Sequence, residues 1–220
     1  MNIGILGTGM VGETIATALI EKGHIVKIGS RTANNEKAAA WVMKSKQHAT
    51  QGNFNDAAAF GEIVFLCVNG AAALDALRSI EPDSIAGKIV IDLTNPLDFT
   101  QGLPPRLLEG LNNSNSVGEE IQKALPTARV VKTLNTVNAQ VMVNPGLINK
   151  GDHTLFICGN DADAKNRVKQ FLVDTFGWEA ANLLDLGGIQ SARGTEAYVP
   201  FWVMMMQATG SPMFNIKVVK

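Results

Sequence analysis

A chain of 220 residues, at about 150 per domain, allows one large domain or one standard domain with a small appendage, and excludes a string of modules. With 46% hydrophobic and 18% charged residues, there is ample material for a core and no signature of disorder. The 19 basic and 20 acidic side chains leave a formal charge of −1, too little to draw in nucleic acid or an anionic membrane, so neither is expected as a partner. The apolar run opens at Ile3 without a charged leader, and a cytoplasmic location is expected. The uncharged stretch Ala197 to Ile216 is interrupted by Pro200, Gln207, Gly210 and Pro212, and reads as buried rather than membrane-spanning. Cys67 and Cys158 lie far apart in apolar runs with no CxxC and no neighbouring His, so they read as reduced, packed thiols and no metal is expected.

In chain order, the first half alternates short β-branched runs with amphipathic segments, the pattern of successive βαβ units. Ile3 to Leu6 reads as a strand and Met10 onward as a helix, with Gly23 placed to end it. Ile25 to Ile28 is a second strand, Glu36 to Lys44 a helix, His48 to Thr50 a short third strand, and Asn53 to Phe60 a helix whose Asn and Asp suit its start. Ile63 to Val68 has no polar member, as a central strand covered on both faces requires, and Lys88 to Leu93 repeats that character. Pro96 to Asn115, rich in Pro, Gly and Asn, reads as a long surface loop with one helical turn near Leu107. Ser116 to Leu125 is expected as a helix and Arg129 to Leu134 as a sixth strand. Then follow a strand at Thr154 to Cys158, a helix at Asp161 to Phe176, a strand at Asn182 to Leu186, a long helix from Ile189 and an extended end, Phe214 to Val219. The fold class is therefore α/β: a doubly wound, mostly parallel sheet in residues 1–150, with a small C-terminal α/β extension in residues 151–220.

Gly7-Thr8-Gly9-Met10-Val11-Gly12 fits G-x-G-x-x-G and stands between the first strand and the first helix, where the mechanism needs it. Gly7 permits the tight turn, Gly9 lets a pyrophosphate reach the backbone, and Gly12 lets helix and strand pack closely, while free amides at the helix start face the phosphates. An NAD site puts an acid at the end of the second strand; here stand Gly29, Ser30, Arg31 and Thr32. An acid would repel a 2′-phosphate, whereas these hydroxyls and the guanidinium can bond it, so NADP(H) is the expected nucleotide. Val68-Asn69, Asn95-Pro96 and Asn135 place small polar groups at three further strand ends on the same edge, as candidates to meet the ribose or the nicotinamide carboxamide. Asn is also a common strand-ending turn residue, which leaves the structural alternative open for each.

No histidine falls at a cofactor-facing strand end: His24 ends the first helix, His48 lies in the third strand and His153 in a loop. Neither G-x-S-x-G nor HExxH is present. Lys132 lies within a strand, where a solvent-facing or paired lysine is the better reading than an acid. No catalytic side chain is assigned, and hydride transfer between two stacked rings needs none.

Four segments, MNIGILGTGMVGETIATALIEKGHIVKIGSR, IVIDLTNPL, ARVVKTLNTVNAQVM and LGGIQSARGTEAYVPFWVMM, taken in order over nearly the whole chain, resemble the NADP-dependent oxidoreductases of the 8-hydroxy-5-deazaflavin coenzyme, F420. The ferric-reductase domain of the STEAP proteins, which uses flavin, is a relative of that family. The resemblance implies a Rossmann domain with a small C-terminal domain, a homodimer, and hydride exchange between NADPH and a deazaflavin, or FMN or FAD, in a cleft. It further implies that Thr8 to Val11 wrap the pyrophosphate, that Ser30 and Arg31 hold the 2′-phosphate, and that Asn69, Asn95, Pro96 and Asn135 surround the nicotinamide end. On the acceptor side it implies Gly188, Ile189 and the helix carrying Ser191, Arg193, Glu196 and Trp202; an Arg193–Glu196 pair could equally be a structural i,i+3 contact. The alternatives are an NADP-dependent reductase of a small imine or carbonyl and a non-catalytic NADPH-binding redox sensor.

Overall fold

A computed structural model describes residues 1–45 and 47–219. The amino-terminal half is a run of βαβ units: β1 (Asn2–Leu6), α1 (Met10–Glu21), β2 (Ile25–Ser30), α2 (Glu36–Ser45), β3 (Ala49–Asn53), α3 (Phe54–Phe60), β4 (Ile63–Leu66), α4 (Ala73–Arg78), α5 (Pro82–Ile85) and β5 (Ile89–Asp92). A ribbon of β6 (Leu97–Asp98) and β7 (Arg106–Leu107) follows, then α6 (Val117–Ala124), β8 (Arg129–Thr133), α7 (Ala139–Val143), β9 (Leu155–Cys158), α8 (Ala162–Phe176), β10 (Leu183–Asp185) and α9 (Ala192–Thr209).

The main strands form one eight-stranded sheet in the order β10-β9-β8-β5-β4-β1-β2-β3. Its pairs are parallel except β8 with β9, which run antiparallel, so β9 and β10 complete the same sheet in the reverse direction. Strand order reverses between β1 and β4, whose register partners include Ile3 with Ile63 and Leu6 with Leu66. The sheet is covered on both faces, which is why β4 has no polar member. Ile63 and Phe65 join Ile5, Ile91 and Val131 in one core cluster under α1 and α8. Val64 and Leu66 join Leu6, Val90 and Val130 in the other, under α3, α4 and α6.

Boundaries differ from the sequence expectation where tertiary contacts override local pattern. His48 has φ +61° and sits in the turn before β3, which runs three residues beyond Thr50 because Ile28, Gly29 and Ser30 of β2 pair with it. Leu134 has φ +63° and ends β8. The region around Leu107 is no helical turn: Leu97 and Asp98 pair antiparallel with Leu107 and Arg106, and the Leu108 amide donates to the Pro96 carbonyl at 2.8 Å. The segment beginning at Ile189 starts as a single 3-10 turn before α9. The chain end is extended and pinned edgewise, with the Thr154 amide donating to the Ile216 carbonyl at 2.9 Å.

Candidate nucleotide and acceptor site

The first βα turn has the build that its glycines require. Gly7 adopts φ +128°, closed to a side chain, and its amide donates to the Gly29 carbonyl at 2.9 Å, tying the turn to the end of β2. A Cβ on Gly12 would run into the Gly7 carbonyl oxygen, so the close approach of α1 to β1 depends on that glycine. At Gly9 the opposite holds: a Cβ would meet nothing within 4 Å, leaving the backbone open on the ligand side. No side chain caps α1. The amides of its first turn and their dipole are thus free for an anion.

At the end of β2, the buried Ser30 hydroxyl donates to the Thr32 carbonyl at 2.6 Å and receives the Thr32 amide at 3.2 Å. This closed turn presents Arg31 and Thr32 to solvent. Among the described residues Arg31 has no carboxylate partner within ion-pair distance.

The three asparagines are set in different ways. Asn69 accepts from the Ala71 amide at 2.9 Å and caps the turn after β4. Asn95 and Asn135 form a reciprocal pair: Asn95 Nδ2 donates to the Asn135 carbonyl at 2.9 Å, and Asn135 Nδ2 donates to Asn95 Oδ1 at 2.9 Å. Those bonds orient both amides and leave Asn135 Oδ1 buried without a partner. A buried acceptor without a donor is costly. Asn95, but not Asn135, lines a cavity of about 170 Å³, walled also by Val11 of α1, Cys67 to Gly70 after β4, Leu93 and Thr94 after β5, and Leu97 and Phe99 of the ribbon. Burial first, and then the Asp92 charge, push the Cys67 thiol far up, so it stays protonated.

Residues 2–96 match the family model described as NADP oxidoreductase, coenzyme F420-dependent. A crystal structure of a protein from Arthrobacter sp. FB24, assigned as an F420-dependent NADP-reductase, is 41% identical, with 100% of both chains covered and a TM-score of 0.91. The chain belongs to the coenzyme F420-dependent NADP oxidoreductase family. Rat metalloreductase STEAP3 is 30% identical over 205 residues, covering 91% of this chain and 37% of that protein, and human metalloreductase STEAP2 is 25% identical over 89% and 35%. The chain thus spans about a third of the length of these curated relatives. The Aspergillus terreus reductive aminase solved with NADPH and ethyl levulinate shares the fold, with a TM-score of 0.65 at 20% identity over 95% of this chain and 62% of its own.

The residues present fit the family's nucleotide, NADP(H): an uncapped helix start behind an open Gly9, an exposed Arg31 where an NAD enzyme has an acid, and the unpartnered Asn135 Oδ1 at the far end. Val68 and Asn69 lie on the cavity wall, whereas Pro96 is buried behind it and its carbonyl serves the ribbon. Among the described residues no helix is long and apolar enough to cross a membrane.

The acceptor-side candidates are not gathered at this cavity. Gly188 and Ile189 line a separate recess with Glu119, Gln122 and Asn160, and the Ile189 amide donates to Asn160 Oδ1 at 3.0 Å. The Ser191 hydroxyl donates to the Leu186 carbonyl at 2.7 Å. Trp202 stacks on Phe214, centroids 5.2 Å apart and planes at 20°, with its Nε1 buried and unpartnered. Arg193 and Glu196 do not pair. Arg193 Nε and Nη2 donate to the two Glu119 oxygens at 2.8 and 2.7 Å, because one turn of α9 points Arg193 at α6 while Glu196 faces inward.

Glu196 belongs to a buried cluster that the sequence reading missed. Lys132 Nζ lies 2.9 Å from Asp92 Oδ2, 2.7 Å from Glu196 Oε1 and 2.5 Å from the Thr94 carbonyl. Glu196 also accepts the Val117 and Gly118 amides at the start of α6, at 2.9 and 3.0 Å. Asp92 Oδ1 accepts from the Thr94 amide and hydroxyl. Burial pushes the Glu196 carboxyl up, against the pull of Lys132. Burial lowers Lys132, but the two carboxylates outweigh it and its ammonium is held above its ordinary range. The available signal was Asp92 at the end of the otherwise apolar strand β5 and Lys132, its register partner, after two valines in β8.

Proposed function

We propose that this protein transfers a hydride between NADPH and a planar ring acceptor of the deazaflavin or flavin class, at the cavity beyond β4 and β5. The observation that carries this reading is the composition of the cavity wall. Its side chains are apolar, amide, hydroxyl or protonated thiol, and among the described residues none is ionised. Such a wall positions and desolvates a ring but offers no group to protonate a carbonyl or imine at the reacting atom. Full-length likeness to the Arthrobacter protein supports the same acceptor class.

In this reading, Arg31 and the turn closed by Ser30 hold the 2′-phosphate, the α1 amides hold the pyrophosphate, and Asn135 Oδ1 receives an N–H of the carboxamide. The Asn95–Asn135 pair keeps that acceptor aimed. NADPH supplies one hydride and leaves as NADP+, and a proton from solvent completes reduction of the ring.

Stopped-flow oxidation of bound NADPH, with deazaflavin, FMN, a ferric chelate and a cyclic imine compared, tests the reading. Transfer to a ring acceptor at a rate nearly flat from mildly acid to mildly alkaline pH is expected. Turnover of an imine or carbonyl alone, with a bell-shaped profile, overturns it in favour of acid catalysis. Tight NADPH binding with no turnover of any acceptor favours a sensor.

A further inference from the structure

The ribbon after β5 has no part in closing the sheet, yet two of its side chains reach the nicotinamide-side cavity. Leu97 and Phe99 wall it together with Val11 and Cys67. The ribbon is held in one conformation by the pairing of Leu97 with Leu107 and of Asp98 with Arg106, and by the Leu108 amide on the Pro96 carbonyl. Phe99 itself is set by a tight turn: Asp98 Oδ1 accepts the Thr100 amide at 2.8 Å and the Phe99 carbonyl accepts the Gly102 amide at 3.0 Å. Despite this fixed backbone, Phe99 is 52% exposed. About half of a large apolar residue on the cavity wall is thus left to solvent.

Size bears on what that surface is for. The cavity of about 170 Å³ is smaller than the range typical of sites that enclose a drug-sized ligand, about 300 to 1,000 Å³. A ring stacked on a nicotinamide held there would extend past the cavity, and Phe99 is the cavity-lining residue with a large apolar surface left to solvent. Aromatic rings at such distances favour offset or edge-on contact and gain free energy beyond simple area burial.

We infer that Phe99, carried by the β6–β7 ribbon, is the platform for the acceptor ring and sets the preference for planar aromatic acceptors over small ones. This inference rests on the ring-acceptor reading above. It names a contact which that reading leaves open, and it moves the acceptor site to the ribbon, away from the recess at Gly188 and Ile189.

The test uses the whole chain loaded with NADP+, titrated with FMN and with deazaflavin and followed by quenching of ring fluorescence, together with steady-state NADPH oxidation. Phe99→Ala is expected to weaken ring binding and raise KM for the ring by roughly tenfold, as expected for a lost aromatic contact plus its apolar area. The Kd for NADPH should rise by much less than that for the ring, since the nucleotide is held chiefly at its phosphates. Phe99→Trp should restore ring binding while Phe99→Leu does not, a difference that a merely space-filling role would not produce. Leu103→Ala, an exposed apolar change elsewhere on the ribbon, should leave both quantities unchanged. Wild-type ring affinity in Phe99→Ala, or equal rescue by Leu and Trp, overturns the inference. If the wild-type protein binds neither ring, the ring-acceptor reading itself fails before any variant is made, and this inference falls with it.

Discussion

Lys132 Nζ sits 2.7 Å from Glu196 Oε1, with both side chains out of solvent, so that one ion pair bolts α9 to the central strand β8. The same ammonium donates to the Thr94 carbonyl, one residue before the Asn95 amide that orients Asn135. The cluster carries two carboxylates against one ammonium. The remaining negative charge rests on the first amides of α6, where a helix start favours an anion. The long C-terminal helix and the strand-end asparagines thus share one buried set of contacts.

Lys132→Met should be among the most damaging single changes in the chain. It keeps the volume but leaves Asp92 and Glu196 buried without their cation, a loss of roughly 3 to 5 kcal/mol. In a chain of this size that corresponds to a fall in Tm of roughly 6 to 20 °C. Glu196→Gln, which keeps one acceptor oxygen for Lys132 and a single α6 amide, should cost less. Thermal melts of both variants check the order; equal, small losses would show that the cluster contributes little.

Arg31→Ala should weaken NADPH by roughly 1.5 to 3 kcal/mol, the range of a charge-assisted contact, with NADH affinity nearly unchanged. The wild-type protein should favour NADPH at least about tenfold, since Ser30, Arg31 and Thr32 stand where an NAD enzyme has an acid. Fluorescence titration with each nucleotide measures both. Equal losses for the two would remove Arg31 from the 2′-phosphate.

For Gly9→Val, the expected outcome is a folded protein that no longer binds nucleotide. Space for the side chain exists, since a Cβ there meets nothing within 4 Å, but that space is where the pyrophosphate would meet the backbone. Melting curves with and without NADPH settle it: the wild type should gain thermal stability from the ligand and the variant should not.

Acid sensitivity should depend in part on Glu119. Hydrogen bonds from Arg193 hold its carboxyl below its ordinary value of 4.5, with burial opposing and Ser116 assisting. A carboxyl lowered in the folded state contributes stability that is present above about 4.5 and lost as pH falls through the lowered value. Arg193→Ala should therefore flatten the fall of Tm on the acid side of that window and leave its shape above neutrality unchanged. An unaltered acid limb would mean that solvent screens the pair.

The sequence alone was enough for whatever is decided by neighbours along the chain. The glycine spacing between β1 and α1, the Ser30-Arg31-Thr32 turn and the all-apolar β4 follow from local geometry and two-sided burial, and a doubly wound sheet follows from their alternation. Contacts set by strand order and chain reversal were not readable in this way. Spacing within one helix suggested Arg193 with Glu196, but helix rotation gives Arg193 a partner 74 positions away and turns Glu196 inward to Lys132. The β6 and β7 segments are two residues each, too short for any period-2 signal, so only their pairing across the intervening loop distinguishes a ribbon from a helical turn. For the same reason Phe99 reads as an ordinary loop residue in the sequence, and only the folded ribbon brings it to the wall that Val11 and Asn95 share.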